Sequence, residues 1–196
     1  TATTHSSTKH RKLITVAKIQ ILELTYAHIP WLVEIDQQSH ISPWTKKIFE
    51  SSFNARSHNF YLQQDNEILG YYFASFIVGE MTLENICIAP QYQGKGLAKK
   101  LMAHFIEYSR SLNTEDIFLE VRESNTKAIS LYESYKFEVT GKRKEYYSIP
   151  NSSDRETALL MKKSLLSESL FLKLLRFRSY MAWLSWSSVR KIMMPR

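Results

Sequence analysis

The most informative residues of the chain are Ile86-Cys-Ile-Ala-Pro-Gln-Tyr-Gln-Gly-Lys-Gly-Leu-Ala-Lys-Lys-Leu-Met102. They begin as a short apolar strand that ends at Pro90, continue as a turn with two glycines and end as the start of a helix. Glycines let the backbone approach a bulky oxyanion, and the unpaired N–H groups of a helix start point at such a guest with the positive end of the helix dipole behind them. These residues therefore predict a strand, an anion-binding turn and a helix, with phosphate as the expected guest.

The turn fits one phosphate-binding pattern in two registers, residues 93–98 (Q-G-K-G-L-A) and residues 91–96 (Q-Y-Q-G-K-G). Both resemble the Q/R-x-x-G-x-G/A signature of the GNAT superfamily of N-acetyltransferases, whose members bind the pyrophosphate of acetyl-CoA with this loop. We prefer the first register because Tyr92 stands where members usually place a tyrosine. Neither a Rossmann nor a Walker motif can be read in the turn, and an ordinary strand-to-helix turn is the remaining alternative.

The resemblance implies which residues hold acetyl-CoA. The backbone of the preceding strand would pair with the pantetheine amides. The turn and the first helical turn would hold the diphosphate, with lysines adding positive charge. The cofactor-binding residues implied for this stretch are Ile86, Cys87, Ile88, Gln93, Gly94, Lys95, Gly96, Leu97, Ala98 and Lys99.

Length and composition predict one globular domain in a reducing compartment. With 196 residues, 44% of them hydrophobic, the chain suffices for one core and is short for two. The single cysteine, Cys87, rules out an internal disulfide, and no Cys/His cluster in the sequence has the spacing of zinc ligands. We therefore expect a cytoplasmic protein that binds no metal.

The formal charge of +7 lies at the two ends of the chain. Residues 1–18 carry +4 and residues 164–196 carry +5, so the body between them is slightly acidic. We therefore expect no direct recognition of nucleic acid by the body. Residues 1–13 are predicted to be a disordered basic leader without the apolar core of a signal peptide, and residues 14–163 the folded domain.

Residues 164–196 alternate apolar and basic side chains, which predicts two amphipathic helices. Their longest apolar run is too short and too charged to span a bilayer. Contact with a membrane surface or with the ribosome is one interpretation of this tail. Docking onto the domain or onto a second subunit is the other, and the sequence leaves the oligomeric state open.

Apolar periodicity between the two ends predicts an α+β (mixed α/β) domain. The expected helices are 27–39, 45–53, 96–112 and 125–135, and the expected strands are 14–24, 60–64, 68–78, 81–89, 117–121, 137–147 and 157–162. Asp65-Asn66 and Gly79-Glu80 carry hairpin-turn signals. Two crossover helices among the strands indicate a mixed sheet of six to seven strands with about four helices. The GNAT resemblance implies a mostly antiparallel order, with strands 4 and 5 splayed around acetyl-CoA.

A second segment, residues 119–137, carries side chains suited to proton transfer. Glu120 stands within an apolar strand, where burial would raise its pKa and suit it to accept a proton near neutrality. The alternative is an inward-pointing carboxylate satisfied by an ion pair. Asn125 can cap the following helix, and Tyr132, seven residues on, shares a face of that helix with Asn125.

This segment closely resembles the RimI group of ribosomal-protein-alanine N-acetyltransferases, which carries the run L-E-V-R-x-S-N-x-x-A-I-x-L-Y-E-x-x-G-F. The resemblance implies Glu120 as general base, Asn125 as a CoA-binding residue and Tyr132 as general acid and cofactor contact. Residues 42–45 (S-P-W-T) resemble that group's F-P-W-S/T substrate loop, and residues 144–147 (K-E-Y-Y) its R-x-Y-Y element. The substrate-binding residues so implied are Pro43, Trp44, Tyr146 and Tyr147.

Three residues depart from the family pattern. Lys136 replaces a glycine just after the helix predicted for residues 125–135, at a position where a left-handed residue is favoured. We therefore expect that turn to be strained or differently closed. Ala98 replaces the more common last glycine of the loop, and Thr157 replaces an acid in the last strand. None of the three is a proposed proton-transfer group.

Together the motifs predict transfer of the acetyl group of acetyl-CoA to the N-terminal α-amine of a protein, most simply the terminal alanine of a small-subunit ribosomal protein. Related folds acetylate lysine side chains, polyamines or aminoglycosides, and these acceptors stay open as alternatives. A covalent route through Cys87 is disfavoured, because a cysteine within an apolar strand is usually inert. A catalytically silent CoA-binding module is the other alternative, against which Glu120 and Tyr132 weigh.

Overall fold

A computed structural model describes residues 18–165, which form a seven-stranded sheet with helices on both faces. The predicted leader and nearly all of the predicted tail lie outside the described residues. The strands are β1 Gln20–Glu23, β2 Phe60–Gln64, β3 Glu67–Ile77, β4 Glu80–Ile88, β5 Asp116–Arg122, β6 Glu138–Ser148 and β7 Arg155–Ser164. The helices are α1 Ile29–Ser39, α2 Lys46–Ser51, α3 Leu97–Ser111 and α4 Thr126–Ser134.

The sheet is mixed and mostly antiparallel, in the order β1-β2-β3-β4-β5-β7-β6. Only β4 and β5 run parallel, joined by the crossover helix α3. All other neighbouring pairs of described strands are antiparallel. The α+β class, the strand number and the four helices predicted from the sequence are confirmed.

The two parallel strands pair over only part of their length. Residues 80–83 of β4 align with residues 116–119 of β5, and pairing between the two strands ends there. Immediately beyond, β4 carries an extra residue, Glu84, relative to β3, because Ala74 aligns with Leu83 and Phe73 with Asn85. A bulge of this kind bends its strand and increases the local twist. The ends of β4 and β5 therefore separate, as expected from the family resemblance.

Each face of the sheet packs against its own helices. On one face α3 and α4 cover a core that includes Tyr72, Met81, Phe105 and Tyr132. On the other face α1 and α2 cover a smaller, aromatic core around Leu32, Phe49, Tyr71 and Phe73. Successive strand residues alternate between the two cores, as the two-residue period of a strand requires. No helix within residues 18–165 is long and apolar enough to cross a membrane.

The element boundaries differ from the sequence predictions in a few places. β1 begins at Gln20 within the described residues, and residues 14–17 of the predicted first strand lie outside them, while α2 ends at Ser51 rather than near residue 53. The predicted turn at Asp65-Asn66 is confirmed, since both residues have positive φ, as a type I′ hairpin requires.

The predicted turn at Gly79-Glu80 is wrong by one residue. Val78 and Gly79 take the positive φ angles, 42° and 83°, while Glu80 already pairs with Ile77 as the first residue of β4. Val78 is 92% exposed. Its apolar side chain made it resemble a strand residue, whereas its place is the tip of the hairpin, where that side chain has no core to join.

Gly70 lets β3 and β4 approach each other beside the separated strand end. It is buried opposite Ile88, and a Cβ at this position would lie 2.5 Å from the carbonyl oxygen of Cys87 and 2.5 Å from Cδ1 of Ile88. Real Cβ atoms do not come so close to backbone atoms. The close approach of the two strands thus depends on glycine.

We expect Gly70→Ala to destabilise the domain by about 1–3 kcal/mol, the usual range for overpacking a core. Thermal unfolding followed by circular dichroism measures this as a drop of several degrees in Tm. The matched control is Gly141→Ala in β6, where the new Cβ would meet only the flexible end of Leu160 at 3.3 Å. Equal Tm values for the two variants would contradict the backbone clash.

Candidate active site

The opening between β4 and β5 is where the sequence-predicted residues assemble. Ile86, Cys87 and Ile88 form the last part of β4, which pairs with β3 on one side and has left β5 on the other. The loop of residues 89–96 leads from this strand end into α3. Because β5 runs parallel to β4, its last residues and the start of α4 lie at the same end of the sheet.

The loop before α3 has the geometry of an anion-binding turn. Gly94 and Gly96 both have φ of 75°, and no atom lies within 4 Å of a Cβ placed on either residue. Gly96 caps α3 in the left-handed conformation. Among the hydrogen bonds of the described residues, none is donated by the N–H groups of residues 94–99. Six successive backbone donors are thus available to an external acceptor, together with Lys95 and Lys99.

Gln93, the first residue of the preferred signature, acts within the protein. Its side-chain Nε2 donates to the carbonyl oxygen of Ile88 at 3.0 Å and so fastens the loop to the end of β4. Leu97 is buried and Ala98 is partly buried, so these two residues hold the first turn of α3 against the core. They can offer an anion their backbone N–H groups.

Asn125 caps α4, as the sequence predicted. Its Oδ1 accepts a hydrogen bond from the N–H of Ala128 at 3.2 Å. The residue is exposed, and its role as a CoA-binding residue stays a prediction.

Lys136 ends α4 without any irregular closure. It adopts a left-handed φ of 64°, and the N–H groups of Lys136 and Phe137 bond to the carbonyls of Glu133 and Tyr132 at 2.8 and 3.1 Å. These are the two bonds of a Schellman motif, which usually has glycine at this position. Lysine therefore carries the backbone strain expected from the sequence, while the turn closes in the ordinary way.

Glu120 is not the buried acid predicted from the sequence. Its side chain is 30% exposed, and Oε1 pairs with Nη1 of Arg143 at 2.8 Å. The physical reason is strand alternation. Ile117, Leu119 and Val121 turn inward to the α3 and α4 core, which directs Glu120 to the opposite face. The predicted burial of Glu120 is therefore wrong, and the ion pair of the alternative is present, although the carboxylate does not point inward to that core.

Tyr147 connects the two predicted proton-transfer groups. Burial and, next, the charge of Glu120 raise the pKa of Tyr147 to about 12. Tyr132 is buried, and this burial, together with the neighbouring Tyr147, raises its pKa well above the ordinary value. Tyr132 is therefore protonated throughout the neutral pH range. Glu120 lies on β5 and Tyr132 on α4, and both interact electrostatically with Tyr147.

A bulge in β6 directs the two tyrosines of the predicted substrate element. Between Arg143 and Tyr147, β6 has two residues more than the facing part of β7, and Glu145 takes a positive φ of 51°. The guanidinium of Arg155 closes the bulge by donating to the carbonyl of Glu145 at 2.8 Å and to the carbonyl of Tyr146. The Arg143 guanidinium lies 5.3 Å from the ring of Tyr146.

Arg122, which is part of the L-E-V-R-x-S-N run but was given no role there, joins three segments at the site. Its guanidinium donates to Ser42 Oγ at 2.7 Å, to the carbonyl of Ser148 at 3.0 Å and to Glu156 at 2.9 Å. It also lies over the ring of Tyr147 at 4.5 Å. Partial burial acts to raise the pKa of Glu156, but hydrogen bonds from Ser124 and the charge of Arg122 outweigh it and lower the pKa.

An open cleft of about 550 Å³ lies beside this ion pair. It is lined by Ile41, Arg122, Glu123, Ser124, Ile149 and Glu156. The lining comes from the segment between α1 and α2, the end of β5 and the segment between β6 and β7. Ile41 directly precedes the predicted substrate loop of residues 42–45, and Ile149 directly follows β6.

Trp44 of the predicted substrate loop is a packing residue as well as a candidate contact. It is partly buried, with its ring 5.2 Å from Phe49 and 5.5 Å from Phe73. Its backbone N–H donates to Asp36 Oδ2 at 2.5 Å. Pro43 is exposed. Only part of the indole surface is therefore free to meet a substrate.

Asp36 is the second important residue that the sequence motifs do not mark. It is fully buried in α1, and its carboxylate is hydrogen-bonded to four residues from three segments. Asp36, His40 and Cys87 also offer ligand atoms within 4.8 Å of one another. This group has no zinc-like spacing, because Cys87 is distant in sequence. The i, i+4 spacing of Asp36 and His40 on one helix was the available signal.

Comparisons with known proteins agree with this geometry. The sequence profile of the Acetyltransferase (GNAT) family matches residues 25–137. The chain is 36% identical over 141 residues to the ribosomal protein bS18-alanine N-acetyltransferase of Escherichia coli K12, which covers 72% of this chain and 94% of that enzyme.

Two solved structures share the fold. The crystal structure of the ribosomal-protein-S18-alanine N-acetyltransferase from Escherichia coli aligns with a TM-score of 0.71 and 34% identity, over 78% of this chain and 99% of the other. An acetyltransferase of Bacillus subtilis, crystallised in complex with CoA, aligns with a TM-score of 0.62 and 19% identity, over 77% of this chain and all of the other.

Cys87 should be nearly inert toward thiol reagents in the folded protein. It is 4% exposed, and burial together with the nearby Asp36 carboxylate raises the pKa of its thiol to about 12. At pH 8 the thiolate fraction would be about one in ten thousand, and only the thiolate reacts. We expect labelling by a chromogenic disulfide reagent at least about a thousandfold slower than for free cysteine, and stoichiometric labelling in guanidinium chloride. Fast labelling of the native protein would contradict this burial.

Proposed function

This chain belongs to the GNAT acetyltransferase family, and from that premise we propose that it acetylates the N-terminal α-amine of a protein, most simply the terminal alanine of a small-subunit ribosomal protein. The supporting observation is the agreement between sequence and site. The chain matches nearly the full length of a bS18-alanine N-acetyltransferase, and residues 86–88 of its motif lie on the part of β4 that no longer pairs with β5.

Acetyl-CoA fits the opening between β4 and β5 as the acetyl donor. The free backbone donors of residues 94–99 match a diphosphate, and the space around Gly94 and Gly96 lets it approach the backbone. The edge of residues 84–88 that faces away from β3 has no strand partner in the described part of the chain. It can pair with the pantetheine amides as an added strand would.

The reaction needs an uncharged amine and a protonated leaving group. An α-amino group has a pKa of about 7.7–8.0, so Glu120 would remove its proton directly or through one water. The amine nitrogen then attacks the thioester carbonyl, and the C–S bond breaks as the tetrahedral intermediate collapses. Tyr132, kept protonated by its burial, would give its proton to the departing CoA thiolate. The products are the acetylated amine and CoA.

The open cleft provides the route for a flexible protein terminus. Ile41 and Ile149, which line the cleft, are followed by residues 42–45 and preceded by the end of β6, respectively, and on this ground we assign Pro43, Trp44, Tyr146 and Tyr147 to the acceptor. A cleft open to solvent admits the end of a polypeptide. Lysine side chains and small amines remain the alternative acceptors, since the same opening can admit them.

Three finer points rest on the sequence alone. The cytoplasmic location is supported by the single, unpaired cysteine. The division into a leader of residues 1–13, a domain of residues 14–163 and a basic tail of residues 164–196 is kept as a proposal. A role of the tail at the ribosome or at a membrane surface is part of the same proposal.

We expect the enzyme to acetylate a peptide with a free N-terminal alanine at its α-amine and to leave an internal lysine of that peptide unmodified. Tandem mass spectrometry locates the added acetyl group. The same peptide with a blocked N terminus is the control, and spermidine and an aminoglycoside are offered in parallel. Acetylation of the small amines or of lysine alone would exclude the protein terminus as acceptor.

Substitution of the two proton-transfer groups should lower turnover without removing CoA binding. We expect Glu120→Gln and Tyr132→Phe each to reduce kcat by about 10²–10⁴-fold, the usual contribution of general acid–base catalysis. Glu133→Gln, which changes an exposed carboxyl next to Tyr132 in sequence, should stay within about twofold of wild type. Steady-state kinetics and calorimetry with CoA measure both effects. Wild type and variants that all bind CoA but are equally idle would instead support a silent CoA-binding module.

A further inference from the structure

A buried carboxylate stands between the substrate loop and β4 without any part in the proposed proton transfers. Asp36 has no exposed surface. Its Oδ1 accepts from the Tyr71 hydroxyl at 2.5 Å and from Asn85 Nδ2 at 3.2 Å, and it lies 2.6 Å from His40 Nδ1. Its Oδ2 accepts from the N–H of Trp44 at 2.5 Å. Burying a carboxylate costs free energy, which its four partners offset. Removing one partner destabilises the folded state, because the buried charge is then less well compensated.

The four partners come from three segments, because His40 and Trp44 both lie between α1 and α2 whereas Tyr71 and Asn85 lie on two strands. Tyr71 lies on β3, and Asn85 lies on β4 directly after the bulge at Glu84. Trp44 belongs to the loop between α1 and α2, and its backbone N–H joins this loop to the buried carboxylate, while Ser42 of the same loop is bonded to Arg122. Asp36 therefore links residues 41–45 to the part of β4 that has separated from β5.

The geometry favours a hydrogen-bonded anchor over a metal site. Both oxygens of Asp36 already accept hydrogen bonds, and a bound cation would have to displace some of these donors. Burial tends to raise the pKa of Asp36, but the bonds from His40, Tyr71 and Trp44 outweigh it and hold the pKa below its usual value.

We propose that Asp36 is a positioning residue that sets the distance between the acceptor-binding loop and the strand that holds the thioester. The inference rests on the proposed function, because that function assigns the loop to the acceptor and β4 to acetyl-CoA. Loss of the carboxylate frees the N–H of Trp44 and lets residues 41–45 move, while the loop of residues 89–96, which binds the other substrate, keeps its own bond from Gln93. The effect is therefore selective for the acceptor.

Asp36→Asn tests this selectivity because it replaces one acceptor oxygen by a donor of similar size. We expect the KM for the alanine-terminated peptide to rise at least about tenfold, while the Kd for CoA stays within about twofold. Hydrogen exchange read out on residues 41–45 should show the amide of Trp44 protected in wild type and exchanging at least about a hundredfold faster in the variant. Calorimetry, steady-state kinetics and exchange are measured on the full-length chain.

Tyr71→Phe is the matched control, since it removes one donor to Asp36 and leaves the bond to Trp44 in place. It should lower Tm and keep the peptide KM within about threefold of wild type. Equal losses of CoA and peptide affinity in Asp36→Asn would overturn the proposal, as would a Trp44 amide in wild type that exchanges at the rate of an unstructured chain. This last measurement needs no variant to fold.

Two further measurements distinguish the anchor from a metal site and from the proposed function itself. A rise in Tm on adding Zn²⁺ to wild type that is absent in Asp36→Asn would show that Asp36 belongs to a metal site, and would overturn the proposal of a hydrogen-bonded anchor. A wild-type protein that acetylates no peptide would overturn the proposed function, whereas the protection of the Trp44 amide would still decide whether Asp36 holds the loop.

Discussion

The separation of β4 from β5 is the constraint on which the rest of the site depends. Parallel pairing holds from Glu80 to Leu83, and the extra residue at Glu84 then bends β4 away from its neighbour. The strand beyond the bulge keeps its bonds to β3, so the sheet stays continuous while one backbone edge becomes free. The turn before α3 and the start of α4 lie at the same end of the sheet, because a parallel pair directs both strand ends the same way. One irregular residue thus brings an unpaired strand edge, a glycine turn with free backbone donors and the start of α4 to one end of the sheet.

The loops that border the opening are held by a small number of charged groups with low exposure. Arg122 and Glu156 are 11% and 17% exposed, and together with Ser42 and Ser148 they tie two loops to the end of β5. Asp36 of α1 holds the first of these loops by accepting a hydrogen bond from the backbone N–H of Trp44. Exposed pairs such as Arg110 with Glu107 contribute little, since solvent screens them. The partly buried pair is worth more to the structure because breaking it leaves a charge without a partner.

Local sequence signals predicted most of the fold. Residues 86–102 correctly predicted a strand, a glycine turn and a helix, and Asn125 and residues 65–66 occupy the predicted cap and turn. Glu120 was placed wrongly because its apolar neighbours were read as its environment, although in a strand the neighbours face the other way. Arg122 and Asp36 escaped notice for a different reason. Their partners lie up to 80 residues away in sequence, and such contacts leave no periodic trace in the chain.

The bulge of β6 has a consequence for the outer rim of the sheet. In the described region β6 is an edge strand of the sheet, so its outward backbone groups are not bonded to another strand. A long flat edge of this kind would template the addition of a strand from a second molecule. The irregular backbone around Glu145, flanked by Lys142, Arg143 and Lys144, breaks the even spacing that such a template needs. The distortion that turns Tyr147 toward the interior thereby also protects the molecule against edge-to-edge aggregation.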